Sequence, residues 1–573
     1  MARIDGGALL ARSLQQAGVT EVFTLHGGHL DAFLMAAEDY GLRLTDTRHE
    51  STAGHAADAY ARLTGKPGVC VTTSGPGFTN VYSAITNAYL DASPVLFIVG
   101  SPPLREAETN PLQGGFDQVA AAYPVTKWAH QVTNVERIPE LVALALRHAT
   151  TGKPGPVLLD VPIDVMFYPV DDEYVRWPAY PADIPRPAPS PAGVQAVLAA
   201  LASASRPAIL TGGGALLSGC AAELRTFAER CSIPVFTNKG QGILPGSHPL
   251  WAGGTFGLAT LSMVVGETPD LLIILGHRFG LFTGGRHSYV PGATIIQVDV
   301  DSAEMGRLHD VAVPILADVR TALEAFNAAA ADAHLPDFSE WAKKAITARQ
   351  LAQQLFPDDS TPSGRIHPNA AARELLGATP GDAVVVFDGA EAGAWAGFYT
   401  AAETPGGVFT FGYLGCLGVG QGYAIGAARA RPGVPVVLVT GDGAVGFHIS
   451  EFDTMVRHEL PIITAVFNNM SWGLSKHGQE VIYPGRKPVV TTLPDTAFEQ
   501  VARAFGADGH RIEDAGQIAA AVQAALASGK PTCLNLAVDG DIVHPGGVAG
   551  LSDVNSTTEI VVPYYDNIPL KQA

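Results

Sequence analysis

The chain lacks several things, and each lack narrows what it can be. Over its 573 residues, no apolar run approaches the ~20 residues that a membrane span needs. Met1-Ala2-Arg3-Ile4-Asp5-Gly6-Gly7 has no apolar stretch of the secretory kind, so no signal peptide is expected there. Cysteine is scarce. Cys70, Cys220, Cys231, Cys416 and Cys533 are scattered, odd in number and without CxxC spacing. That argues against a disulfide framework or a zinc site, and for a reducing, cytoplasmic setting. Basic residues are outnumbered, 36 Lys+Arg against 55 Asp+Glu, for a formal net charge of −19. A surface of that sign repels phosphate backbones, which argues against nucleic acid as a partner.

What remains is the composition of a folded protein, 47% hydrophobic and 16% charged. The length suggests about three domains. Short β-branched runs such as Gly68-Val69-Cys70-Val71-Thr72-Thr73, Val95-Leu96-Phe97-Ile98-Val99 and Val157-Leu158-Leu159-Asp160-Val161 alternate with Ala-rich stretches of helical length. Strand and helix in alternation predict an α/β protein with parallel sheets. Two segments read as linkers. One runs from Pro178 to Pro191 and holds six prolines, stiff enough to space domains. The other is helical and polar around Glu340 to Gln354, then loses its pattern through Pro357-Asp358-Asp359-Ser360-Thr361-Pro362-Ser363-Gly364. They leave three blocks, 1–177, 192–335 and 365–573. In the middle block a strand runs into Gly212-Gly213-Gly214. Such a turn either holds a nucleotide phosphate or belongs to a structural Rossmann-like domain.

The chemistry concentrates in the third block. The buried strand Val436-Val437-Leu438-Val439-Thr440 ends in Gly441-Asp442-Gly443. After 24 further residues, the strand through Ile462 to Phe467 ends in Asn468-Asn469. In a parallel sheet both strand ends reach the same edge, where α/β folds bind ligands. Asp442 and Asn469 would present hard oxygens there, and the main-chain oxygen of Ser471 could add a third. Few protein oxygens plus a diphosphate suit octahedral Mg²⁺. Gly443 lets backbone approach phosphate oxygens. A lone Gly-Asp-Gly is usually a turn, but its pairing with Asn-Asn is not.

This spacing resembles the signature of thiamine diphosphate enzymes. The likeness extends over nearly the whole chain, in the order pyrimidine-binding, middle and diphosphate-binding domain. It implies thiamine diphosphate and Mg²⁺ as cofactors, and an active site at the interface of at least a homodimer, with a homotetramer expected. Asp442, Asn469 and Ser471 match the metal ligands. Gly389, Ala390, Gly441, Gly443, Ala444, Ser471, Gly473 and Leu474 match positions that contact the cofactor. Gly415 would offer its carbonyl to the 4′-amino group, and Leu417 would be the wedge that bends the cofactor. Glu50, in the Asp46-Thr47-Arg48-His49-Glu50 segment, matches the carboxylate that hydrogen-bonds the pyrimidine N1′. A carboxylate in that role needs a sheltered site.

The first block is most similar to benzaldehyde lyases. The similar segments include Leu25-His26-Gly27-Gly28-His29, Gly77-Phe78-Thr79-Asn80, Leu112-Gln113, Thr126-Lys127-Trp128-Ala129-His130, Phe279-Gly280-Leu281 and Gly412-Tyr413-Leu414-Gly415. The resemblance makes His29 and Gln113 the polar catalytic residues over the thiazolium, while His26 has no matched role. It implies a carbon–carbon lyase or carboligase acting on 2-hydroxy carbonyl compounds. The chain departs from that pattern at Ile163, Gly393, Phe411 and Gly478, where two aromatic positions have become glycine and one wall is expected to open. Trp472-Gly473-Leu474-Ser475-Lys476-His477 instead resembles acetolactate-synthase-like proteins. The tail through Val562-Pro563-Tyr564-Tyr565-Asp566 is long, as in 2-hydroxyacyl-CoA lyases. A decarboxylating carboligase, a CoA-dependent lyase and a non-catalytic subunit of the same fold therefore stand as alternatives.

Overall fold

Parallel β-sheet organises the chain three times over. The computed structural model describes residues 3–180, 185–254, 256–280, 290–354, 356, 361–548, 551–562, 565 and 567–570. Pro181 and 357–360 of the linkers, Leu281, and Pro563, Tyr564 and Asp566 of the tail lie outside the described residues.

The first sheet has the spatial order Arg43–Asp46, Glu21–Thr24, Gly68–Thr72, Val95–Ser101, Val157–Pro162, Trp128–Gln131. The third has Val408–Thr410, Val384–Asp388, Val436–Gly441, Ile462–Asn468, Thr532–Ala537, Asp508–Ile512. Numbered by chain position, both read 2-1-3-4-6-5, and every pairing in them is parallel. The middle sheet is also parallel and six-stranded but reads 3-2-1-4-5-6, the order of the Rossmann fold. Its Gly212–Gly214 turn follows the first strand of that order, Pro207–Thr211. The expected α/β class with three parallel sheets is what the structure contains.

The first and third domains share one apolar core. Phe23, Phe78 and Phe97 from the first join Tyr423, Phe452 and Val466 from the third. The helix Glu50–Thr64 shows how the sequence allows this. Its interior is rich in alanine, Arg62 sits in its last turn, and Gly65 ends it at φ 68°. Buried Ala53, Ala56 and Ala57 present little bulk. Across from them, the helix Gly420–Ala430 offers glycines. A Cβ on Gly426 would stand 2.2 Å from the Ala56 carbonyl oxygen. Gly426→Ala is therefore expected to push two helix backbones apart, costing about 3 kcal/mol. A thermal unfolding midpoint unchanged from the parent protein would contradict this.

A buried charge network ties in the middle domain. Asp91 accepts a hydrogen bond from Lys239 of the middle domain and, at 3.0 Å, one from the Tyr413 N–H of the third. Arg62 lies 3.7 Å from the same carboxylate and bonds Asp58 through its Nε at 2.7 Å. Burial opposes each charge, and the mutual pairing keeps the Asp91 carboxyl below its usual range. The C-terminal end of the proline linker is docked: Thr321 Oγ1 donates to the Pro187 carbonyl at 2.6 Å, and Pro191 opens the helix Pro191–Ser203.

Candidate active site

The residues singled out in the first domain gather at the carboxyl edge of its sheet. His29 lies on a single turn, Gly28–Leu30, just beyond the strand Glu21–Thr24. A Cβ on Gly100 would stand 3.0 Å from the His29 Cβ and 3.2 Å from the Ser74 backbone nitrogen. Ser74 Oγ donates to the Gln113 carbonyl at 2.8 Å. The structure thus brings His29 and Gln113 to the same place. Gln113 has φ 59°, a left-handed conformation costly for a side chain of its size. Burial lowers the His29 pKa, which favours the neutral imidazole. His26, in the loop just before that turn, is exposed and pairs with Asp31 at 3.0 Å.

Glu50 opens its helix with 6% of its surface exposed. Its carboxylate accepts one side-chain hydrogen bond, from Asn80 Nδ2 at 3.0 Å. Asn80 stands on the helix Pro76–Leu90, within a segment noted above but without an assigned role. The spacing between Glu50 and Asn80 carries no periodic signal, and only the packing of two helices makes them partners.

The motifs of the third domain also converge. Ser471 N–H donates to Asp442 Oδ2 and to Asn469 Oδ1, each at 3.1 Å. Between them Met470 is held at φ 58°. Asp442 is 5% exposed and accepts from the Gly443 N–H at 2.9 Å. Burial, only partly offset by these N–H donors, pushes its pKa up to about 7. Among the described residues no Lys or Arg pairs with it, so the donor set is one that a bound cation would complete. No cluster of three His, Cys, Asp or Glu side chains suited to a metal occurs among the described residues. The set instead relies on one carboxylate, one amide and a main-chain oxygen.

The surrounding backbone has the bareness that phosphate binding needs. A Cβ on Gly443 would strike the Trp472 ring at 2.5 Å, and one on Gly389, at φ 95°, would stand 3.1 Å from the Gly441 nitrogen. On Gly473 it would meet the Glu391 carboxylate and, at 2.6 Å, Asn469 Nδ2. Ala390 and Ala444 add only methyl groups beside these turns. These residues fit a diphosphate and a divalent cation. Glu391 itself pairs with buried His477 at 2.8 Å. Burial, the largest single influence, would lower the His477 pKa, but the hydrogen bond with Glu391, its negative charge and the Gly540 carbonyl together raise it. Sequence reasoning assigned neither residue a role.

Gly415 sits at φ 71° in an exposed turn, and Leu417 is half-buried beside it. Leu474 lies on the helix Gly473–Ile482, its Cδ1 directed at Gly547 of the C-terminal segment. Gly393 corrects one expectation. A Cβ there would stand 3.3 Å from the Phe387 Cβ, so this glycine serves helix-on-strand packing and does not open a wall. Within one chain, no hydrogen bond or ion pair among the described residues joins Glu50 to Asp442, Asn469 or Ser471.

All three parts of the chain match family models. The thiamine pyrophosphate enzyme N-terminal TPP binding domain matches residues 4–121, the central domain 194–326 and the C-terminal TPP binding domain 341–536. The chain belongs to the thiamine pyrophosphate enzyme family. It therefore carries the binding domains for thiamine diphosphate, another name for that compound. A protein of Mycobacterium tuberculosis named acetolactate synthase large subunit IlvG is 35% identical to it, over 95% of this chain and 97% of that protein. A probable acetolactate synthase large subunit of Methanocaldococcus jannaschii is 32% identical, over 95% and 94%. Acetolactate synthase isozyme 3 large subunit of Escherichia coli is 31% identical, over 96% and 98%. These names correct the finer likeness drawn above: full-length similarity runs to acetolactate synthases, whereas the benzaldehyde-lyase likeness rests on short segments. No helix among the described residues is long and apolar enough to cross a membrane.

Proposed function

We propose that this chain is a thiamine-diphosphate- and Mg²⁺-dependent carboligase of the acetolactate-synthase type, joining two 2-oxo acid molecules with release of CO₂. The observation that carries the reading is similarity to acetolactate synthases over 95% of the chain, with Glu50 and the Asp442 set intact. When bound, thiamine diphosphate supplies the nucleophilic carbon and the electron sink that carbon–carbon chemistry needs.

The chain's own residues supply the rest. Glu50, sheltered and steadied by Asn80, would hold a proton at the pyrimidine N1′. Asp442, the Asn469 amide and the Ser471 carbonyl would hold Mg²⁺ against the diphosphate. Gly389, Ala390, Gly441, Gly443, Ala444 and Gly473 would let the backbone close on it. Gly415 would accept from the 4′-amino group and Leu417 would support the bend. His29, kept neutral by burial, and Gln113 would orient the substrate's oxygen atoms and pass protons to them.

A homodimer at minimum, and a homotetramer by the family's habit, belongs to this reading. Two observations support it. No hydrogen bond or ion pair among the described residues joins Glu50 to the Asp442 set of its own chain, and large apolar side chains stand exposed at Leu112, Phe116, Tyr413 and Phe447. Sedimentation of the purified protein as a monomer would contradict it. The free cysteines support a reducing, cytoplasmic setting.

The substrate is tested with a panel of pyruvate, benzoin, acetoin and a 2-hydroxyacyl-CoA, each with added thiamine diphosphate and Mg²⁺. Pyruvate consumption with CO₂ release is the expected result. Benzoin cleavage without pyruvate turnover would restore the aldehyde-lyase reading. CoA-dependent saturation would favour the acyl-CoA lyase.

A further inference from the structure

The segment that carries Gly415 and Leu417 has no secondary structure of its own, yet it is held at one point from two sides. That point is Gly418, at φ 82°. Its N–H donates to Asp388 Oδ1 at 3.2 Å, and the Gly420 N–H donates to Asp388 Oδ2 at 2.8 Å. Its carbonyl is 2.8 Å from His448 Nδ1. A carbonyl can only accept, so Nδ1 carries the proton. In a neutral ring, Nε2 is then an acceptor, and Ser51 Oγ lies 2.9 Å from it. Burial keeps the His448 pKa low, consistent with that neutral form. A side chain at position 418 would collide with Phe447 and His448, with a Cβ 3.0 Å from Nδ1.

Asp388 is 0% exposed and, among the described residues, its hydrogen bonds come from backbone N–H groups. It comes directly before Gly389 and Ala390, so one residue links the diphosphate turn to the pyrimidine-side segment. His448 connects that segment to Ser51, the neighbour of Glu50.

We propose that Asp388 and His448 are positioning residues that grip Gly418 by its N–H and its carbonyl, and so set where the Gly415 carbonyl and the Leu417 side chain stand toward thiamine diphosphate. The proposal deepens the functional reading above and rests on it. Loosening such a clamp shifts an oriented group by a fraction of an ångström to an ångström, and misplacement of that size costs up to about 100-fold in a reaction step.

The test uses the coenzyme-loaded protein and variants His448→Ala, His448→Gln and Asp388→Asn. Three quantities are read: coenzyme affinity by tryptophan fluorescence, the unfolding midpoint, and the rate of deuterium exchange at the thiazolium C2 by quenched NMR. His448→Ala should bind thiamine diphosphate within about threefold of the parent and exchange at least roughly tenfold more slowly. Glutamine can donate to Gly418, so His448→Gln should recover much of the rate. Asp388→Asn should slow exchange like the alanine variant; if it does not fold, the His448 pair decides the matter. Exchange within twofold of the parent in folded, coenzyme-binding His448→Ala overturns the proposal. A parent protein that takes up no coenzyme overturns the functional reading, and this proposal with it.

Discussion

Replacing Glu50 by glutamine is expected to leave a folded protein that still takes up thiamine diphosphate but turns over at least about 100-fold more slowly. The substitution keeps the volume of a buried side chain, so the helix start and the packing around it should survive. Asn80 Nδ2, 3.0 Å from Glu50 Oε2, retains an acceptor if the new amide presents its oxygen. What is lost is the negative charge, and with it the ability to hold a proton at a ring nitrogen. Positioned acid–base groups contribute roughly 10²- to 10⁴-fold to rate. The measurement is kcat beside coenzyme affinity. A variant whose kcat stays within threefold of the parent would remove Glu50 from the mechanism.

The second large effect is expected at Asp442. Its carboxylate is buried and, among the described residues, receives backbone N–H groups alone. With the pKa pushed up to about 7, a cation is the natural stabiliser of the charged form. Asp442→Ala should weaken the Mg²⁺-dependent uptake of thiamine diphosphate by on the order of 100-fold or more, since even outer-sphere changes cost 10- to 100-fold. Trp472, whose ring covers Gly443, is the built-in fluorescence probe. Removing divalent cations from the parent protein with EDTA should reproduce the variant's loss. A parent titration indifferent to EDTA would refute the metal assignment, even if the variant failed to bind.

Gly441-Asp442-Gly443 and Asn468-Asn469 were legible because each follows an unmistakable buried strand, and parallel strands end on one edge. Glu50 stood out as a candidate once those motifs stood beside it, and the sheltered place that such a role needs is where the fold puts it. Substrate chemistry was less so. Short matching stretches in the first block pointed to benzaldehyde lyases, whereas similarity over the full length points to acetolactate synthases. Gly393 misled for a related reason: a missing side chain in a sequence does not say which way it would have pointed. In the fold it points at Phe387.

By itself the sequence determined the α/β class, the plan of three domains with parallel sheets and the two strands that end beside hard oxygen donors. Those are local properties: hydrophobic period, strand length and the glycines at a turn show within a few residues. Tertiary structure alone decided that Asn80 would steady Glu50, that Asp388 and His448 would meet at Gly418, and that Asp91 would join Lys239 across domains. It also decided that the first and third sheets share one strand order and the middle sheet has another. These contacts join residues tens to hundreds of positions apart, and chain spacing carries no signal of which distant side chains the burial of helices and sheets will bring together.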